Sequence, residues 1–101
     1  MDKVGYIYIM SNKNRTTLYI GVTSNLKQRV WEHRTHHMIG SFTDKYNLEH
    51  CVYYKFHPDI ESAISRETIL KKWRRSKKEE LINRLNPEWK DLWEDIKDWV
   101  M

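Results

Sequence analysis

Phenol, guanidinium, imidazole and carboxylate groups recur in this chain at spacings that could bring them into one site. Two short apolar segments each carry a tyrosine, Tyr8 and Tyr19, opposite their aliphatic residues, because side chains alternate along a strand. Such a pair is also typical of a cross-strand aromatic contact, since aromatic residues are common in strands for packing reasons. The tyrosines alone are thus compatible with a site or with simple packing.

A basic pair follows the second of these segments directly. Arg29 and His33 are four residues apart, so a helix would place both on one face, next to the strand that carries Tyr19. A guanidinium and an imidazole could then meet the tyrosine face. Pairs at this spacing also occur on solvated helix surfaces, so this alternative stays open.

Glu67 falls on a helical stripe that includes the apolar residues Ile60, Ala63 and Ile64. Ionised carboxylates are rarely buried unless they are paired or bind a metal, so this position requires a partner. One alternative is an ion pair with Arg29, Lys71 or another neighbour, and the other is a metal site. Mg²⁺ needs few protein ligands when phosphate oxygens and water complete its shell, so one glutamate would be enough.

The histidines and the single cysteine provide little support for a zinc site. His33 and His37 share one face of the predicted helix, but no cysteine cluster or third ligand occurs at a defined spacing. Cys51 cannot form an internal disulfide, because it is the only cysteine. We expect it to pack as a small apolar residue near the third strand.

Length and hydropathy restrict the class of protein. With 101 residues, the chain is expected to form one domain spanning residues 1–101. The longest apolar run, from Val4 to Met10, is far shorter than the ~20 residues needed to cross a membrane, so no membrane partner is expected. No secretory signal pattern precedes this run. We therefore expect a cytoplasmic protein.

Charge is unevenly distributed along the chain, whose formal net charge is +4. Basic residues outnumber acids between residues 66 and 78, and acids outnumber bases from residue 86 onward. The basic segment is either a solvated helix end or, with Trp73 among its charges, a surface that grips phosphates and stacks on a base. The candidate nucleic-acid-binding residues are Lys71, Lys72, Arg74, Arg75, Lys77 and Lys78.

The apolar periodicity predicts the elements that would position these residues. Strands are predicted at residues 5–10, 18–23 and 51–56, the first two joined as a hairpin. Helices are predicted at about 25–37, 60–75, 77–85 and 88–100, with a short helical turn near 41–46. Thr23 or Ser24 is the expected N-cap of the first helix. Trp89 and Trp93, in the acidic last helix, are expected to complete the core.

The order of several short motifs resembles the GIY-YIG nuclease domain. The motifs are, in chain order, "YIY" at 6–8, "YIG" at 19–21, Arg29, His33, Glu67 and Asn86. The segments "TSNLKQRVWEH" and "SRETILKKWRRSKK" look like the small stand-alone bacterial members, which are related to the nuclease end of the UvrC repair subunit. The resemblance covers roughly residues 4–93.

This resemblance implies a fold, a reaction and a set of residues. The fold is α/β (α+β), a three-stranded antiparallel sheet flanked by helices, with the tyrosine face as the floor of a cleft and the aliphatic face as the core. The reaction is phosphodiester hydrolysis with one divalent ion, Mg²⁺ or Mn²⁺, on DNA, in repair or recombination. Glu67 is implied as the metal ligand. The implied catalytic residues are Tyr8, Tyr19, Arg29, His33 and Asn86.

The chain also departs from the family pattern. Tyr6 stands where the motif has glycine, and Val22 follows "YIG" where several active members carry lysine, a charge that Lys27 or Lys45 could supply. Family members commonly rely on an attached targeting domain, so a protein partner that supplies targeting is a further expectation. The alternative is a nucleic-acid-binding or protein-interaction module that kept the fold without cleavage. The oligomeric state is open.

Overall fold

The strands of the protein form one small sheet in the computed structural model, which describes residues 3–100. They are β1 (Gly5–Ser11), β2 (Leu18–Thr23) and β3 (His50–His57), in the spatial order β2-β1-β3. Both neighbours pair with β1 in antiparallel register, so β2 and β3 are the edge strands. The predicted three-stranded antiparallel sheet is confirmed, and each strand ends within one residue of its predicted position.

Helices flank this sheet, which confirms the α+β class. Within residues 3–100 they are α1 (Leu26–Arg34), α2 (Phe42–Lys45), α3 (Ile60–Lys71), α4 (Arg75–Leu85) and α5 (Trp93–Ile96). None of these helices has the length and apolar character needed to cross a bilayer.

The ends of α1 and α3 differ from their predicted positions. The N-cap of α1 is Asn25, whose side chain accepts a hydrogen bond from the backbone N–H of Gln28, so the choice of Thr23 or Ser24 was wrong. The helix ends before His36, which has a left-handed φ of 56° that a helix cannot continue. The prediction of helix to residue 75 was also wrong, because α3 ends at Lys71 and a separate helix begins at Arg75.

The predicted helix at 88–100 was wrong except for the single turn of α5. Trp89 has a φ of 53°, which interrupts a right-handed helix. Asp91 accepts hydrogen bonds from the backbone N–H groups of Cys51 and Trp93, so tertiary contacts fix this segment. Its apolar side chains still reach the interior as expected, since Trp89 and Trp93 pack against the core.

Both faces of the sheet are packed. One core joins the aliphatic residues Ile7, Ile9 and Ile20 to α3 and α4. A second core joins Tyr8 and Met10 to α1, α5 and Cys51, which packs as a small apolar side chain as predicted. The expectation that the tyrosine face is the floor of an open cleft is therefore wrong for Tyr8, which is only 1% exposed.

Gly21 allows the ring of Tyr8 to lie flat across the neighbouring strand. The register places Tyr8 directly opposite Gly21. A Cβ atom on Gly21 would lie 2.4 Å from the Tyr8 hydroxyl oxygen and 2.5 Å from its Cζ atom. Because the ring is buried and an added Cβ would collide with it, glycine is the residue that fits beneath it.

We predict that Gly21→Ala lowers the free energy of unfolding by about 2–3 kcal/mol, because overpacking a closed core typically costs 1–3 kcal/mol. Urea denaturation measures this loss. Gly40→Ala is the control, since its added methyl meets no atom within 4 Å and carries only the strain of a φ of 82°. An equal or smaller loss for Gly21→Ala than for Gly40→Ala would contradict the close packing of Tyr8.

Candidate active site

A chain of three buried polar side chains joins the sheet to two helices. Tyr8 Oη on β1 lies 2.9 Å from His33 Nε2 on α1, and His33 Nδ1 lies 2.8 Å from Thr43 Oγ1 on α2. All three residues are buried. The sequence indicated the first two residues but contained no signal for Thr43, because nothing in its spacing relates it to His33.

Burial determines the protonation of this chain. Burial, together with the nearby Arg29 guanidinium, lowers the pKa of His33 to about 4, because both disfavour the charged imidazolium. His33 is therefore neutral at pH 7, with one ring nitrogen that donates and one that accepts. Burial also raises the pKa of Tyr8 well above its usual value, with Tyr19 adding to the effect, so this phenol keeps its proton.

Tyr19 is the tyrosine that lines an open cavity. It is only partly buried, and its ring centroid lies 6.3 Å from that of Tyr8 and 5.7 Å from that of His33. The cavity has a volume of about 170 Å³. Its lining residues are Tyr19, Arg29, His33, Met38, Ser41, Phe42 and Thr43.

A second cavity, of about 430 Å³, adjoins the first at Tyr19 and Phe42. Its other lining residues are Leu18, Ile20, Lys71 and Lys78. Together the two cavities, here called the β2 cleft, follow edge strand β2. The phenol of Tyr19 is thus flanked by a guanidinium in one cavity and by two ammonium groups in the other.

Glu67 lies at the border of the packed face of α3. Its side chain is 16% exposed, and its Oε2 atom lies 3.6 Å from Nζ of Lys71. This is one of the two ion pairs considered for it, since Arg29 instead pairs with Glu32, with Nε and Oε1 3.3 Å apart. The predicted stripe is confirmed at Ala63, which is buried, but was wrong at Ile64, which is exposed because α3 turns Ala63 and Leu70 toward the core.

Glu67 and Arg29 lie on helices that cover opposite faces of the sheet. Helix α3 covers the face of Ile7 and Ile9, whereas α1 covers the face of Tyr8. The charges of Glu67 and Arg29 nevertheless both act on the pKa of Tyr8, Glu67 raising it and Arg29 lowering it. Lys71 extends from α3 to within 6.0 Å of the Tyr19 ring centroid. Because Lys71 also pairs with Glu67, it links this carboxylate to the Tyr19 side of the β2 cleft.

Asn86 is not part of this group. Val52 is the extra residue of a β-bulge in β3, since Ile9 pairs with Tyr53 and Met10 pairs with Cys51. The Asn86 amide donates to the Val52 carbonyl at 3.0 Å and to the Lys90 carbonyl at 2.8 Å, and its oxygen accepts from the Lys90 N–H. These bonds attach the end of α4 to the bulge, at the strand farthest from Tyr19.

The basic segment divides between several surfaces. Lys71 and Lys78 line the β2 cleft, and Lys72 and Arg74 are exposed. Arg75 instead holds the loop between β1 and β2, where its guanidinium donates to the carbonyls of Thr16 and Arg15. It also pairs with Glu79.

Trp73 is covered by cations. Arg66 Cζ lies 5.0 Å and Lys77 Nζ 4.5 Å from the ring centroid of this half-buried side chain, which packs against the aliphatic core. Two cations therefore lie near the ring on which the sequence suggested that a base would stack.

The lysine that family members carry after "YIG" has no direct substitute at this position. Val22 packs against the aliphatic core, on the side of the sheet that α3 covers. Lys27 donates to the Trp99 carbonyl at 2.7 Å, far along the chain, and so is engaged elsewhere. Lys45 is exposed at the end of α2.

Glu67 would provide a single carboxylate ligand to a metal ion at this site. Among residues 3–100, no group of three or more histidine, cysteine, aspartate or glutamate side chains could hold an ion. The partly exposed oxygen donors of Glu67 fit a hard cation whose other ligands are phosphate oxygens and water.

A larger cavity of about 460 Å³ lies on the outer side of α1, where Lys27, Trp31 and Trp93 line it. None of the phenol, guanidinium or carboxylate groups described above reaches it. Its size alone does not indicate catalysis, and the β2 cleft is the candidate active site.

Comparison with known proteins relates this chain to one family. A model of the GIY-YIG catalytic domain matches residues 4–80, a range that includes the other predicted site residues, from Tyr8 to Lys78, but not Asn86. A UPF0213 protein of Syntrophus aciditrophicus (strain SB) is 30% identical over 83 residues, which cover 82% of this chain and 93% of that protein. No solved structure matches the chain.

We predict that buried His33 makes the protein less stable in acid. The unfolded chain takes up a proton near pH 6.5, whereas folded His33 resists it until about pH 4. The free energy of unfolding is therefore at its full value, as far as His33 is concerned, above pH 6.5. It decreases as the pH falls to about 4, by an amount on the order of 3 kcal/mol.

Urea denaturation of the wild type and His33→Gln at pH 7 and pH 4.5 tests this prediction. The wild type is expected to lose more stability than the variant between these pH values. His37→Gln, at an exposed position, controls for removal of a histidine. Parallel losses in the wild type and His33→Gln would contradict the assignment.

Proposed function

The chain belongs to the GIY-YIG catalytic domain family, and from this we propose that it is a divalent-metal-dependent endonuclease that hydrolyses phosphodiester bonds in DNA. The observation that carries the proposal is the β2 cleft, in which Tyr19 is shared by a cavity with Arg29 and a cavity with Lys71 and Lys78, while Lys71 also pairs with Glu67. In this proposal the chain is one catalytic domain. Its DNA substrates would arise in repair or recombination.

Arg29 would stabilise the transition state. Attack on a phosphodiester places negative charge on the nonbridging oxygens, and a preorganised cation lowers the barrier by several kcal/mol. The guanidinium lines the cavity that Tyr19 borders, and its ion pair with Glu32 restricts its orientation. It can therefore meet a phosphate without a large rearrangement.

Tyr19 would contact the attacking water. Tyr8 is unsuited to this task, because it is buried and keeps its proton. Tyr8 is instead a positioning residue, since its hydroxyl holds His33 and its ring lies against Gly21. His33 is neutral and hydrogen-bonded at both ring nitrogens, so its ring has a fixed orientation. It would thereby hold the side of the cavity next to Tyr19 in place.

Glu67 would hold the divalent ion, Mg²⁺ or Mn²⁺. Such an ion, when bound, neutralises charge on the phosphate and lowers the pKa of coordinated water. Lys71 supplies a positive charge beside Glu67, so the partly buried carboxylate is paired. Lys71 and Lys78 would hold the DNA backbone along the cleft, with Lys72 and Arg74 contributing outside it.

A second candidate function is a nucleic-acid-binding module that does not cleave. The packing of Val22 supports it, because the side chain faces the core where several active family members have a lysine. The cleft of such a module would keep its cations and bind a phosphate backbone. Cleavage assays distinguish the two functions.

We predict that Glu67→Gln and Arg29→Ala each reduce DNA cleavage by about 100-fold or more, the usual effect of removing one transition-state contact. Supercoiled, nicked and branched DNA would be incubated with Mg²⁺ or Mn²⁺, and EDTA should abolish cleavage. Glu61→Gln, on the exposed side of α3, is the matched control and should cleave as the wild type does. Cleavage that survives both substitutions would contradict the proposed site, and binding without cleavage by the wild type would favour the module.

We also predict that Lys78→Ala weakens DNA binding mainly at low salt. Removing one phosphate contact should reduce the slope of log affinity against log salt by about 1, because one fewer counterion is released. Lys97→Ala is the control, since Lys97 pairs with Glu94 in the acidic C-terminal segment. If log affinity depends on log salt with the same slope in the wild type and in Lys78→Ala, DNA does not bind in the β2 cleft.

A further inference from the structure

We propose that Phe42 and Tyr46 form a platform on which an unpaired nucleobase stacks, so that the preferred substrate exposes single-stranded nucleotides next to the cleavage point. This inference rests on the proposed nuclease function and adds the substrate class. The two side chains, on and directly after α2, are here called the α2 platform.

The α2 platform extends the aromatic wall of the cleft into solvent. Phe42 is 47% and Tyr46 is 44% exposed. Their ring centroids are 4.8 Å apart, and the Phe42 ring lies 6.1 Å from that of Tyr19 at an interplanar angle of 30°. Three rings thus run from the candidate catalytic residue to the surface, which is more than the isolated exposed apolar side chain common in proteins.

The platform is held in position by polar contacts behind it. Thr43, next to Phe42, is buried and bonded to His33, so α2 is attached to the candidate active site. Asp44 accepts hydrogen bonds from the Gly40 N–H and from His36, at 2.8 Å each. An aromatic surface fixed before binding loses little conformational entropy when a ligand stacks on it.

Charge identifies the occupant as part of a nucleic acid. Phe42 lines both cavities, one with Arg29 and the other with Lys71 and Lys78. Aromatic rings beside a groove lined by cations are the chemistry by which proteins bind single strands, the cations holding phosphates and the rings stacking on bases. Arg29 and Lys71 already pair with Glu32 and Glu67, but Lys78 forms no ion pair within residues 3–100, so an apolar protein partner would cover its charge without neutralising it.

Stacking on this platform requires a base that has left the duplex. Bases inside a double helix are covered on both faces by their neighbours, and extruding one costs a few kcal/mol unless it is already unpaired. A strand end, flap, gap or loop meets this condition without that cost. The platform would therefore favour such structures over continuous duplex.

Binding of fluorescent oligonucleotides tests the inference. Affinities for a single strand and for a blunt duplex, each labelled with 2-aminopurine, would be measured by anisotropy and quenching in EDTA, where no cleavage interferes. Phe42→Ala should weaken single-strand binding by about tenfold, the usual effect of removing one stacking ring, and reduce the quenching. Binding of the duplex should stay unchanged, and Phe42→Trp should restore the preference.

Phe56→Ala is the matched control. Phe56 is 50% exposed and lies on β3, the edge strand opposite β2, so its removal should leave both affinities unchanged. Thermal unfolding verifies that each variant is folded. The inference is overturned if Phe42→Ala weakens single-strand and duplex binding equally, or weakens neither, or acts no more strongly than Phe56→Ala.

Failure of this inference differs from failure of the nuclease proposal. Cleavage that depends on Glu67 and Arg29, with the same preference among substrates in Phe42→Ala as in the wild type, would overturn the α2 platform alone. A protein that cleaves no DNA but loses its single-strand preference in Phe42→Ala would overturn the nuclease and support the platform.

Discussion

The hydrogen bond between Tyr8 and His33 is the interaction on which the candidate site depends. It joins the central strand to α1, and the other nitrogen of the same imidazole reaches Thr43 on α2. Losing one partner would leave a buried polar group unpaired, which costs about 1–3 kcal/mol, more than a typical hydrogen bond contributes. The three elements are therefore held together, and the side chains next to this chain, Arg29 and Phe42, are presented to the cavity.

The position of the site at the edge of the sheet follows from the packing of both faces. Two cores, one on each side of β1, leave no open face for a cleft. Arg29 and Glu67 lie on helices that cover opposite faces, and water still reaches both side chains, which are 41% and 16% exposed. Charges that keep contact with water avoid most of the desolvation penalty of a buried site.

Several polar and basic residues that are typical of a functional site are used here for structure. Asn86 satisfies the carbonyl of a bulged residue, Arg75 holds the β1–β2 loop, and Trp73 lies beneath two cations. Residues of these types are as common in binding or catalytic sites as in structural contacts of this kind, so the type alone does not distinguish the two. The distinction depends on which partner each side chain meets, and those partners are distant in sequence.

The sequence by itself determined the strands, most of the helices, the segregation of tyrosines from aliphatic residues and the family, because these follow from local periodicity and ordered motifs. It also indicated Glu67, Arg29, His33 and Tyr19. Only the tertiary structure decided that Tyr8 is buried while Tyr19 is accessible, that Asn86 serves the bulge, and that residues 88–92 are not helical. The reason is physical: alternation and helical spacing report which face a side chain takes, whereas burial and hydrogen-bond partners depend on what the rest of the chain packs against that face.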